Sequence, residues 1–217
     1  MSVKLSDESG TIRDVLSQID NRLFTAYTSP VEAQLSQIIN NGVSSPDWEP
    51  TASNTPTGRP TDARGYVYDA LLVLVMVHTE VSTTISTPPG TTITTTSSSL
   101  LLTKILSHLL THISHTHLTA FKGRGHYTLL ALMQATLDVE FLAQTLNNYT
   151  TDKASEVQSS IYVALDERTD NEARGRLQAE LPEMRGVLKR LRTGTQGEFG
   201  CFRRERTGRT RRQSGGR

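Results

Sequence analysis

At 217 residues the chain has room for a real core in one domain or two small ones, but hydrophobic content of 35% with abundant Ser and Thr leaves part of it outside. Its single cysteine, Cys201, excludes an internal disulfide and favours a reducing, cytosolic setting. The net charge of +1 hides two opposed regions: residues 1–184 carry 12 Lys/Arg against 20 Asp/Glu, and residues 185–217 carry 11 against 2.

The opening MSVKLSDESG has no apolar signal core, and the longest apolar run, Ala70 to Val77, falls well short of the ~20 residues a bilayer requires. A first amphipathic helix is predicted from about Thr11 to Phe24, with Ile12, Val15, Leu16, Ile19 and Leu23 along one stripe. A second, separate helix is predicted to start at Ser29 as N-cap, with Pro30 at its first position and Glu32 completing a capping box. Its stripe is Val31, Leu35, Ile38 and Ile39, and Asn41-Gly42 ends it. From Val43 to Arg64, Pro, Ser, Thr and Asp predict a long flexible surface connection.

The segment Gly65 to about Ser82 suits a buried helix or, around Val73–Val77, a buried strand; helix is preferred because its neighbours are helical. In residues 82–99, 13 of 18 are Ser or Thr around Pro88-Pro89-Gly90, which predicts a flexible loop with too little apolar area to offset its ordering entropy. Another helix is expected over Leu100–Phe121, broken by Gly123 and Gly125.

The next helix, beginning near His126, contains the stretch LLALMQATLDVEFLAQTLNNY, residues 129–149. At about 100° per residue, Leu130, Met133, Leu137 and Phe141 share one side, while Leu132, Ala135, Val139, Leu142 and Leu146 share the other. A helix apolar on two faces needs packing partners on both, which points to a layered helical assembly. Thr150 or Thr151 caps a further helix with Ala154, Val157, Ile161 and Leu165 inward. The last helix carries Leu177, Leu181, Met184, Leu188 and Leu191 in a short heptad, with a kink or fresh start expected at Pro182. Beyond Gly194 the chain reads as mostly disordered.

Five constellations invite chemistry. His108, His112 and His115 lie within about 60° of one another on a helix, as a zinc site requires, but His117 points away and no HExxH order is present. They border the apolar arc of Ile105, Leu109 and Ile113, so a structural role is preferred. Asp138 and Glu140, two residues apart on a helix, project in nearly opposite directions and make no acid–base dyad. Cys201 lacks a sequence-adjacent base, and Gly123-Arg124-Gly125 lacks the context of a phosphate loop. The Arg-rich end, from Arg203 to Arg212, suits weak attraction to anionic lipid; without interleaved aromatics or a nucleic-acid fold it predicts no specific nucleic acid.

Three blocks, YVYDALLVLVMVHTEVS, LLALMQATLDVEFLAQTLNNYTTDKASE and GEFGCFR, stand in the order and spacing of the C-terminal part of exocyst complex component two, and the opening LSQIDNRLFTAYTSPVEAQLSQIINNGV is similar to the preceding stretch in fungal members. The resemblance covers most of residues 14–203, with Glu140-Phe141 and Gln144-Thr145-Leu146 as its most specific part, and implies a copy truncated relative to the family. It implies an all-α fold of elongated, stacked helical bundles, as in the rods of tethering complexes. It implies a non-enzymatic subunit with no catalytic, cofactor or metal residues, which tethers secretory vesicles through helix–helix contacts with other exocyst subunits and with small GTPases. The expected location is cytoplasmic, with recruitment to exocytic sites at the plasma membrane. The expected organisation is a bundle region over 1–199, with flexible connections at about 43–64 and 82–99, and a disordered Arg-rich tail over 200–217. The alternative is a peripheral membrane protein that binds anionic lipid through that tail.

Overall fold

The computed structural model describes residues 2–48, 59–84 and 92–203. Six α-helices occupy most of them: α1 (Ser2–Ser44), α2 (Gly65–Thr84), α3 (Thr92–Lys122), α4 (Leu129–Thr145), α5 (Asp152–Glu167) and α6 (Asn171–Gly194). Short 3-10 turns follow α1, α4 and α6, and a bridge between extended residues pairs Tyr127 with Thr169. Among the described residues there is no strand, so Gly65–Thr84 is the helix its neighbours implied.

Helices α1, α2 and α3 pack on one another; α5 lies along α3, and α6 lies along α4. Cross-links set their directions. Glu32 meets His108 and Ser36 meets His112, so α1 and α3 run parallel. Tyr27 meets Glu80 near the other end of α2, so α1 and α2 run antiparallel up to Gly42, which abuts Tyr66. Gly42 is required there, because a Cβ at this position would overlap the Tyr66 ring.

The predicted break between two N-terminal helices does not occur: α1 is continuous for 43 residues with Pro30 inside it. An interior proline costs about 3 kcal/mol by removing one hydrogen bond and crowding the preceding turn. Contacts on both sides of Pro30 offset that cost. Tyr27 Oη donates to Glu80 at 3.1 Å, while Leu35, Ile39 and Val43 are fully buried beyond it. Glu32, read as half of a capping box, instead meets His108 Nε2 at 2.6 Å. Pro182 likewise sits within an unbroken α6.

The expected loop over 82–99 is shorter than composition implied. Helix α2 reaches Thr84 and α3 begins at Thr92, so much of the Ser/Thr tract is helical; residues 85–91 lie outside the described residues. Thr103, Thr111, Thr116 and Thr119 show how α3 accommodates these residues, each hydroxyl donating to the carbonyl four residues earlier. In the 43–64 connection, Trp48 is buried in a 3-10 turn, donates Nε1–H to the Gly42 carbonyl at 2.8 Å, and lies under the guanidinium groups of Arg64 (4.5 Å) and Arg124 (5.5 Å).

Helix α4 is buried on both sides, as its two apolar faces require, and packs against α6, α2 and α5. Met133, Leu137 and Phe141 are buried on one side and Leu132, Ala135, Val139, Leu142 and Leu146 on the other, with Leu130 partly buried. Its N-terminus is Leu129 rather than near His126, capped by Thr128, which accepts from the Ala131 N–H. Thr151 caps α5 and Asp170 caps α6 in the same way.

Disorder beyond Gly194 is corrected through Arg203. Phe199 and Phe202 are buried, and Asn148 Nδ2 donates to the Phe202 carbonyl at 2.9 Å. Tyr68, Phe141 and Phe199 form a three-ring cluster with centroids 5.5–6.4 Å apart. The GEFGCFR block therefore closes one end of the α2–α4 core. The expected Arg-rich tail from residue 204 lies outside the described residues.

Candidate functional site

The histidine cluster joins helices. His108 Nε2 meets Glu32 Oε1 and stands edge-on to Phe24 at 5.1 Å; His112 Nε2 lies 2.8 Å from Ser36 Oγ and 3.1 Å from the Glu32 carbonyl. Histidine contacts and the Thr28 hydroxyl hold the Glu32 carboxyl below its usual range despite the opposing effect of burial. His115 is exposed, and among the described residues no group of three or more His, Cys, Asp or Glu side chains is placed to hold a metal. His117 faces the core, stacked on Phe121 at 5.6 Å, and burial lowers its pKa to about 4.

Asp138 and Glu140 diverge, as their spacing requires. Asp138 is fully buried and accepts the Arg64 backbone N–H at 3.0 Å and Gln134 Nε2 at 2.9 Å. Its second oxygen and the Tyr66 hydroxyl are both buried and lie near each other. Burial raises the Asp138 carboxyl to about 7, with the Arg64 N–H, Gln134 and Tyr66 pulling it back. Glu140 instead accepts from Tyr162 Oη at 2.7 Å and Gln144 Nε2 at 2.9 Å. Cys201 is half-buried, which pushes its thiol up and away from the thiolate that a nucleophile needs. Arg124 is a clamp: its Nη1 donates to the Val43 carbonyl at 3.1 Å.

What remains exposed is more informative. Every residue from Gly10 to Leu23 of α1 is exposed. On it, Ile12 (62%), Leu16 (60%), Ile19 and Leu23 (66%) stand open to solvent at the 4-3-4 spacing of a coiled-coil seam, with the exposed Val15 beside them. Helix α2 ends at Thr84, one turn past the level of Tyr27, and α3 reaches the stretch through the ion pair of Lys104 with Asp20 at 3.2 Å, which leaves the apolar stripe exposed. The sequence showed this stripe, but a stripe alone does not say whether it is covered. Helix α2 is the one described helix long and apolar enough to cross a bilayer, yet its Val67, Ala70, Leu71, Leu74 and Val77 are buried in the bundle.

A second exposed feature lies on α4–α6. Helices α5 and α6 both contact α4 but splay from each other, leaving an apolar cleft of about 770 Å³. Beside it, Arg185, Lys189, Arg192 and Arg203 line a groove of about 510 Å³. Sequence reasoning missed this convergence. The i, i+4, i+7 spacing of the first three was its only linear trace.

The comparisons with known proteins concern the whole of this bundle. The family model Exocyst complex component Sec5 matches residues 1–202. No curated protein and no solved structure gave a match. The matched region spans all six helices and reaches the buried Phe202. Exocyst subunits tether vesicles, and a helical bundle with an exposed heptad stripe suits work done by contact. The chain belongs to the exocyst complex component Sec5 family.

Proposed function

We propose that this chain is a non-catalytic tethering subunit, or the helical part of one, that joins other exocyst subunits through the exposed stripe of α1. The observation that carries this reading is the exposure of Ile12, Leu16, Ile19 and Leu23 in one heptad-spaced row, where no other described helix covers them. Burying such a row against a partner helix yields about 25 cal/mol per Å² of apolar area, enough to drive specific pairing when the row fits the partner's seam.

The finer assignment is to the C-terminal helical region of component two, in a form similar to fungal members; the three sequence blocks and the core position of GEFGCF support it. The folded unit runs through Arg203, followed by a basic extension over 204–217. Cytoplasmic residence with recruitment to exocytic sites, and contact with small GTPases, complete the reading.

The test is co-purification with the other exocyst subunits, comparing the full chain with a Leu16→Asp/Leu23→Asp variant. Both positions are exposed, so melting should be unchanged while capture of the partner subunits is lost. Equal capture by the variant would sink the proposal.

A further inference from the structure

The apolar cleft and the basic groove share a wall. Gln144, Arg185 and Leu188 line both. Leu137, Val163, Leu177, Leu181, Met184 and Leu188 supply apolar surface to the cleft, and Val163 on its rim is 57% exposed. The geometry follows from one helix: Leu181, Met184 and Leu188 face α4, while Arg185, Lys189 and Arg192 share the adjoining face of α6.

The charges are arranged for an outside partner. Among the described residues, no carboxylate lines the basic groove. Arg192 is oriented by Gln144 Oε1 at 3.1 Å, and Arg203 by the Arg192 carbonyl at 3.0 Å, both neutral acceptors. Arg185 and Lys189 are exposed. The two acids on the cleft wall are already engaged, Asp166 by Arg174 at 2.9 Å and Glu140 by Tyr162 and Gln144. Four converging cations with no counter-charge among the described residues repel one another until an anion sits among them, and guanidinium forks match phosphate oxygens.

We propose that the α4–α6 face binds an anionic lipid, with one acyl chain in the cleft between α4, α5 and α6 and the headgroup phosphate among Arg185, Lys189, Arg192 and Arg203. The two halves of the site match the two halves of such a molecule. The cleft volume is within the roughly 300–1,000 Å³ of small-ligand pockets, whereas ten residues of a helix ~10 Å across displace roughly 1,200 Å³. The basic extension begins at the groove, because Arg203 is followed by Arg204, Arg206, Arg209, Arg211 and Arg212. Those residues add nonspecific attraction to an anionic bilayer, and the groove supplies the defined headgroup contact. The site is separate from the α1 stripe, so it stands or falls independently of the subunit contact.

The experiment is co-sedimentation of the full 217-residue chain with phosphatidylcholine vesicles, with and without phosphatidylserine, over a salt series. The chain is expected to pellet with the anionic vesicles only. Arg185→Gln/Lys189→Gln should weaken that binding roughly thirtyfold with the extension intact, while Arg185→Lys/Lys189→Arg should retain it. Val163→Asp should weaken it by placing a carboxylate at the cleft mouth. Deletion of 204–217 should leave residual binding that the Gln pair then removes. Circular-dichroism melts of each variant should match the parent. The proposal is overturned if the Gln pair or Val163→Asp binds like the parent, or if deleting 204–217 removes all binding. It is also overturned if an acidic amphipathic peptide binds the groove while vesicles do not.

Discussion

Asp138 on α4 caps α2 from outside that helix: its Oδ1 accepts the Arg64 backbone N–H at 3.0 Å, one residue before α2 begins at Gly65. The same oxygen accepts Gln134 Nε2 at 2.9 Å, and Gln134 reaches on to the Asp62 carbonyl. One buried carboxyl thus holds the 59–64 segment, the start of α2 and the middle of α4 together. Asp138→Ala strands the Arg64 N–H in the interior and should cost about 2–4 kcal/mol in urea denaturation. Asp138→Asn keeps an acceptor there and should cost clearly less. Equal losses in the two variants would show that the hydrogen bond to Arg64 contributes little.

Asp138 and His117 make opposite contributions to the pH dependence. The folded protein raises Asp138 from 3.8 to about 7, so between those values it holds more protons than the unfolded chain, and this part of the stability falls as pH rises. It lowers His117 from 6.5 to about 4, so this part is intact above 6.5 and is lost as pH falls towards 4. From about pH 4 to 6.5 the two slopes oppose each other. Urea midpoints at pH 6.5 and pH 5 should therefore fall more steeply on acidification in Asp138→Asn than in the parent. In His117→Phe, which keeps an aromatic ring beside Phe121, they should rise. Parallel profiles for all three proteins would refute this assignment.

Phe141 is fully buried and meets both Tyr68 and Phe199. Phe141→Ala should cost on the order of 3–5 kcal/mol, the range for deleting a core aromatic ring. Because Phe199 loses a neighbour, protease sensitivity after Gly194 should increase in the same variant, as limited proteolysis will show.

Gly42 lies where α1 meets the Tyr66 ring, and its carbonyl accepts the Trp48 indole N–H. Gly42→Ala should destabilise by roughly 1–3 kcal/mol through overpacking, although alanine is the better helix former. Trp48 fluorescence should shift with it as the ring moves between Arg64 and Arg124. A stabilised Gly42→Ala would mean that helix propensity outweighs the contact.

The sequence by itself determined the elements whose signal is local. The double-faced pattern of residues 129–149 demanded partners on both sides, and Thr151 announced the start of α5, because periodicity and capping depend on residues a turn or two away. It also determined that Asp138 and Glu140 diverge, since helix geometry fixes that angle. Only the tertiary structure decided that Pro30 lies inside a helix, that Phe199 and Phe202 belong to the core, and that the Ile12–Leu23 stripe stays open. Each outcome depends on residues far away in the chain: Glu80 and His108 brace α1 around Pro30, Asn148 anchors the Phe202 turn, and the end of α2 leaves the stripe uncovered. The basic groove was illegible for the same reason. Spacing placed three cations on one face of α6, but only the return of the chain through Phe202 set Arg203 beside them.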